Sequence, residues 1–165
     1  MKASELKEQL FYKKQSVYAK ATPEAIDDAY AFAVDYMKYL DDAKTEREAV
    51  DAAIVIAEAA GFKPYTLGAE LKVGDKCYYN NRGKNLFLFS IGEESLNEGI
   101  RISAAHIDSP RIDLKQVPLY EDSGMAFLKT HYYGGIRKYQ WVATPLALHG
   151  VVIKADGESV WVSIG

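Results

Sequence analysis

His106 and Asp108 carry the most pointed chemistry in this chain, inside the run Ala104-Ala105-His106-Ile107-Asp108-Ser109-Pro110. A histidine that ligates a metal needs its second ring nitrogen held by an acceptor, and a carboxylate two residues away can supply one. In an extended segment, residues i and i+2 lie on the same side. Ser109 and Pro110 would then end the strand and hold the pair in a turn. The functional reading makes His106 a zinc ligand and gives Asp108 the role of orienting it, at the mouth of a sheet. The plainer reading is a hydrogen-bonded core histidine beside a turn-capping aspartate. One imidazole does not complete a metal site, because catalytic zinc takes three protein ligands and keeps an open position.

The remaining candidates are weaker. His131 and His149 have no spacing from His106 that fits a local zinc signature, and both read as structural. Cys77 lies in a strand-like run with no base beside it and reads as an inert thiol. Arg82 and Lys84 could attract an anion, but two basic residues on a hairpin more simply keep it soluble. Tyr132-Tyr133-Gly134-Gly135 could line a substrate pocket, since glycines permit close approach, or form a tight turn beside an aromatic core. The chain contains no CxxC, HExxH or GxSxG motif, and no Walker or dinucleotide glycine motif.

The elements that must position His106 follow from periodicity. Residues 1–21 are polar and helical in tendency, an arm or a first helix. Thr22-Pro23 reads as an N-cap followed by proline at the first helical position. Ile26, Ala29, Tyr30, Ala33, Tyr36, Met37 and Leu40 then predict a helix over about 23–41. Thr45 and Glu48 form a capping box. The alanine-rich stripe from Ala49 to Ala60 predicts a second helix, stopped at Gly61. After Pro64 the period changes. Residues 76–80 and 86–91 read as strands joined by a polar turn at 81–84, and 100–105 as a third strand leading into His106. That order predicts an α/β layer with the His-Asp pair at the C-terminal end of a strand, where open α/β sheets place their ligands. Beyond Pro110 the chain turns β-rich. Asp156-Gly157 between two apolar runs predicts a hairpin with both turn residues at positive φ. The division falls at 111/112, giving 1–111 as the α/β part and 112–165 as the start of a β-rich domain. The chain stops on the strand-like run 160–164, so the expectation is an N-terminal portion of a longer polypeptide.

Composition narrows the function class. At 165 residues, 48% hydrophobic and 26% charged, the chain is globular rather than disordered. A net charge of −3 gives no broad electrostatic footprint for nucleic acid. The single cysteine excludes an intrachain disulfide framework. No signal-peptide core or spanning apolar stretch is present, which makes a soluble cytoplasmic protein the default. The 12 tyrosines suit half-wet surfaces and subunit contacts.

Residues 104–110 resemble the AHxDSP segment of the aspartyl aminopeptidase family of cytosolic zinc aminopeptidases. Ala43-Lys44-Thr45-Glu46-Arg47 is similar to the opening of that family's second helix in a bacterial branch. Asn81-Arg82-Gly83-Lys84 resembles its first hairpin, and Leu128 to Ile136 resembles the branch's glycine motif. The resemblance covers about 40–165 in the family's order. It implies a proteolytic α/β domain, split in sequence by an inserted β-rich dimerisation domain. It also implies a site with two zinc ions, His106 as a ligand, Asp108 supporting that ligand, and the other ligands and the catalytic glutamate in the later part of the proteolytic domain. Peptide substrates and a dodecamer built from dimers are implied as well. The commoner glycine motif runs on into a Trp followed by Asp-Arg-Asp. Here Trp141 is followed by Val142-Ala143-Thr144, so the resemblance leaves open whether the family's preference for acidic N-terminal residues carries over. Two rival readings stand beside this one. One is a stand-alone, non-catalytic assembly or binding module, and the other is a di-zinc hydrolase of the carboxypeptidase kind, which the glycine motif fits less well.

Overall fold

The computed structural model describes residues 3–165. Residues 1 and 2 of the expected arm or first helix over 1–21 lie outside the described residues. The chain divides into two compact units, residues 1–38 and 39–165. In the first, helix α1 spans Ala3–Leu10 and a short 3-10 turn spans Val17–Ala19. Helix α2, Pro23–Asp42, begins at the predicted proline and runs across the boundary between the units. Thr22 Oγ1 accepts from Ala25 N at 3.3 Å, so the predicted cap is formed. The apolar stripe of α2 contains no buried residue, and Tyr30 is 67% exposed.

In the second unit, helix α3 (Glu46–Ala59) packs on strands β2 (Lys76–Asn81) and β3 (Asn85–Ser90). β2 and β3 pair antiparallel, and the two-residue β1 (Lys63–Pro64) joins β2 in parallel. Alanine lets α3 approach the sheet closely. Ala49, Val50 and Ala57 are buried on the helix side, Tyr78 on the sheet side, and Ala43 lies in the segment before α3. Thr45 caps α3 by accepting from Glu48 N at 3.3 Å, and Gly61 follows the helix with φ +86°. The capping box is only half made. Glu48 does not return to the N-cap; its Oε1 accepts from His149 Nδ1 at 3.0 Å. Glu48 Oε2 is buried with no partner among the described residues.

Tyr78 gives the core a pH dependence. Its hydroxyl donates to Glu58 Oε1 at 2.7 Å. That bond, with burial and the charge of Glu58, pushes the phenol above its ordinary value of 10.0. A raised native pKa stabilises the fold below the unfolded value and is lost as pH rises through the native one. Tyr78→Phe should therefore lower stability at neutral pH, with its deficit narrowing above pH ~10. Urea unfolding at both pH values measures this, and a deficit that stays constant across them would contradict it.

Two hairpins follow. β4 (Arg111–Asp122) pairs with β5 (Met125–Tyr133), with a register shift between Leu114 and Leu119. A one-turn helix α4 (Lys138–Trp141) then leads to β6 (Leu148–Ile153), which pairs antiparallel with β7 (Ser159–Ile164). This last hairpin departs from the predicted two-residue turn. Only Gly157, at φ +87°, has a positive φ there. Gly157 N donates to Lys154 O at 2.9 Å and Lys154 N to Glu158 O at 2.8 Å, so the loop has three residues. A tight turn followed by a left-handed glycine is the common three-residue solution. Asp156 contributes its side chain instead, accepting from Glu158 N at 2.9 Å.

The predicted strand over 100–105 is not formed, and residues 100–110 are irregular. Ile100 and Ile102 are 65% and 78% exposed. An extended run becomes a strand only when a neighbour completes its ladder, and no described segment pairs with this one. The α/β composition is as expected, distributed over a three-stranded sheet and two separate two-stranded sheets.

Candidate functional site

His106 and Asp108 sit at the end of the irregular run 100–110, immediately before β4. His106 is not a core histidine, because its side chain is 82% exposed. Its Nδ1 lies 2.7 Å from the backbone carbonyl oxygen of Asp108. A carbonyl can only accept, so Nδ1 is the donor in this contact. The Asp108 carboxylate also lies near the ring, with Oδ1 3.5 Å from Nδ1. The spacing thus brings both acceptors of Asp108 toward one ring nitrogen, and the shorter contact is the main chain.

The Asp108 carboxyl is held below its ordinary value of 3.8, first by the Tyr133 hydroxyl, with help from its own backbone N–H and from nearby His106 and Arg111, against the opposing effect of burial. The Tyr133 phenol is pushed up, first by Asp108. Tyr133 belongs to the glycine segment at the end of β5, where the register places it opposite Arg111. The Arg111 guanidinium lies 4.1 Å from the centroid of the Tyr133 ring. Its Nε donates to Asp113 Oδ1 at 2.7 Å and its Nη2 to Glu46 Oε1 at 3.1 Å. Both pairs are half-buried.

A cavity of about 400 Å³ is lined by Glu46, Lys84, His106, Asp108 and Tyr133, with Asn85, Leu86, Ala105 and Ile107 between them. Helix α3, the β2–β3 turn, the irregular run and β5 all contribute. Lys84, set aside on sequence as a solubilising residue, is on its wall. The other reserve candidates are elsewhere. His131 Nδ1 contacts the Tyr132 carbonyl at 3.1 Å, and His149 bonds Glu48. Both histidines line a separate cavity of about 660 Å³ that also includes Trp141 and Arg111. Cys77 is half-buried in β2. Arg82 offers its carbonyl to Arg47 Nη1 at 3.3 Å.

An imidazole held through Nδ1 can offer Nε2 to a metal ion, so the exposed His106 fits a single ligand position. Among the described residues no group of three or more His, Cys, Asp or Glu side chains could hold an ion. Sequence reasoning offered Tyr133, within 132–135, as a pocket-lining residue, and it lies on this cavity's wall; it missed Arg111 and Glu46. The signal was the pairing of Arg111 with Tyr133, which depends on hairpin register and is not written in local periodicity.

Comparison with known proteins gives the same direction. The profile of the aminopeptidase I zinc metalloprotease (M18) family matches residues 39–164. A probable M18 family aminopeptidase 1 from Clostridium acetobutylicum is 48% identical over 155 residues, which cover 92% of this chain and 33% of the relative. The crystal structure of aminopeptidase I from Borrelia burgdorferi B31 superposes with a TM-score of 0.84 at 37% identity, covering 92% of this chain and 37% of that one. The crystal structure of aminopeptidase I from Clostridium acetobutylicum superposes with a TM-score of 0.77 at 46% identity, covering 94% and 35%. This chain therefore spans about a third of the length of the relatives it matches. The match begins at Tyr39, where the second compact unit begins. With the profile extending over that unit almost to its last residue, the chain belongs to the aminopeptidase I zinc metalloprotease (M18) family.

Proposed function

We propose that this chain contributes one metal ligand and its supporting residues to a zinc-dependent aminopeptidase that removes N-terminal residues from peptides. The observation that carries the reading is the placing of His106, with Nδ1 2.7 Å from the Asp108 carbonyl oxygen and the side chain 82% exposed. His106 holds a zinc ion, and Asp108 orients the ring. When bound, zinc in such a site polarises the scissile carbonyl and lowers the pKa of a coordinated water to about 7. The chain's own work is positional: it fixes one imidazole at the rim of a cavity with Lys84, Glu46 and Tyr133 on its walls. The full complement is two ions per site, with the remaining ligands and the proton-accepting glutamate outside these 165 residues. Taken alone, the 165 residues are inactive, because one ligand does not retain a catalytic ion.

The β-hairpins within 112–165 are read as the start of a dimerisation domain, and assembly as a dodecamer built from dimers. Exposed Leu119, Met125, Trp161 and Ile164 on these hairpins support an interface there. No helix among the described residues is long and apolar enough to cross a membrane, in keeping with a cytoplasmic enzyme.

A polypeptide of the relatives' length containing this sequence should cleave free-amino peptides, leave their N-acetylated forms intact, lose activity on chelation and recover it with added zinc. Undiminished activity after exhaustive chelation would overturn the reading.

A further inference from the structure

We infer that Arg111 is a positioning residue for His106: through Glu46 it pins the end of the irregular run 100–110 to helix α3, and so fixes where that run holds the imidazole. This rests on the reading of His106 as a metal ligand and extends it to a residue that no motif singled out.

The contacts of His106 with Asp108, at 2.7 and 3.5 Å, lie inside the run. They set the ring relative to the run and not to the rest of the fold. The run itself has no ladder. A ligand placed on such a segment is held in a productive position only if something outside fixes the segment. The ladder begins at Arg111, which pairs with Tyr133 of β5. From there its side chain reaches in three directions. Nε donates to Asp113 Oδ1 on β4 at 2.7 Å, and Nη2 donates to Glu46 Oε1 in the first turn of α3 at 3.1 Å. Nη1 lies 3.5 Å from the carbonyl oxygen of Ser109, within the run. The Tyr133 ring covers the guanidinium, with its centroid at 4.1 Å. Pro110 is closed in as well, since a Cβ on Gly134 would stand 3.5 Å from Pro110 Cα. Asp113 and Tyr133 hold Arg111 within its own hairpin. Glu46 differs, because it is 65 residues away in sequence and joins the hairpin to the helix. The two side chains are 24% and 32% exposed, so salt screens this pair less than a surface pair. A planar guanidinium directs its donors along several fixed lines at once, which a single ammonium does not reproduce.

The test uses a polypeptide of the relatives' length, with affinity for zinc alone measured beside the thermal unfolding midpoint. Arg111→Lys keeps the charge and loses the fork. It should weaken zinc binding by about 10-fold, the lower end of the loss typical when a group supporting a ligand is removed. Glu46→Gln breaks the same tie from the helix side and should weaken binding by a similar factor. Because both act through one contact, the double variant should bind zinc about as well as either single variant, without multiplying their losses. Tyr78→Phe supplies the structural control. It removes the hydrogen bond to Glu58, in the last turn of α3, and should lower the midpoint while leaving zinc affinity unchanged. Should Arg111→Lys fail to fold, Glu46→Gln alone decides. Parent zinc affinity in Arg111→Lys and Glu46→Gln would overturn the inference, and so would losses that multiply in the double variant. If His106→Ala loses zinc while these two variants keep it, the inference fails and the ligand assignment survives. If His106→Ala itself keeps its full zinc complement, the assignment fails and takes the inference with it.

Discussion

His106→Ala, placed in a polypeptide of the relatives' length, should lower bound zinc below its full complement and reduce peptide turnover by well over the ~10–100-fold that loss of a supporting residue causes. The expectation follows from the exposure of this side chain. At 82% exposed, the imidazole makes almost no packing contribution, so its removal should leave the fold intact. Loss of metal with an unchanged unfolding midpoint separates a ligand from a structural histidine. Elemental analysis and thermal unfolding on one preparation measure both. His149→Ala should behave in the opposite way. It leaves the half-buried Glu48 carboxylate without its partner and should lower stability without removing metal.

Val50→Asp should have the largest effect on stability. Val50 is fully buried on the face of α3 that meets the sheet. Val50→Ala removes two methyl groups and should cost about 2 kcal/mol including the void. Aspartate there puts an unpaired charge in the same place, which costs roughly 3–5 kcal/mol. Domains of this size hold only about 5–15 kcal/mol in total. Val50→Asp should therefore show little or no cooperative unfolding transition, and a urea midpoint close to that of the parent would contradict this packing of α3. The effect reaches the site, because Glu46, which grips Arg111, lies one turn earlier on the same helix.

The parts of this fold governed by local rules were legible. Helix α2 starts at its proline, α3 starts after Thr45, and β2 and β3 lie within a residue or two of their predicted ends. Caps, periodicity and turn residues act over a few positions, so they can be read along the chain. The run 100–105 failed for the opposite reason. Its apolar residues have strand character, but a strand requires a partner, and pairing is not local. The loop at Asp156-Gly157 failed on a finer point. The aspartate turns the chain by hydrogen bonding through its side chain rather than by adopting positive φ. At the site, the H-x-D spacing foretold that His106 and Asp108 lie close, while the shortest contact to the ring comes from the main chain of Asp108. The pairing of Arg111 with Tyr133 was invisible because they meet only through the register of β4 on β5.

The central claim is that Nε2 of His106 is the atom this chain gives to zinc. Anomalous diffraction at the zinc edge, on crystals of a zinc-loaded polypeptide of the relatives' length, tests it most directly. The account predicts a zinc peak bonded to that nitrogen, with Nδ1 still on the Asp108 carbonyl. A zinc peak bonded only to other residues, with the His106 ring facing solvent, would contradict it.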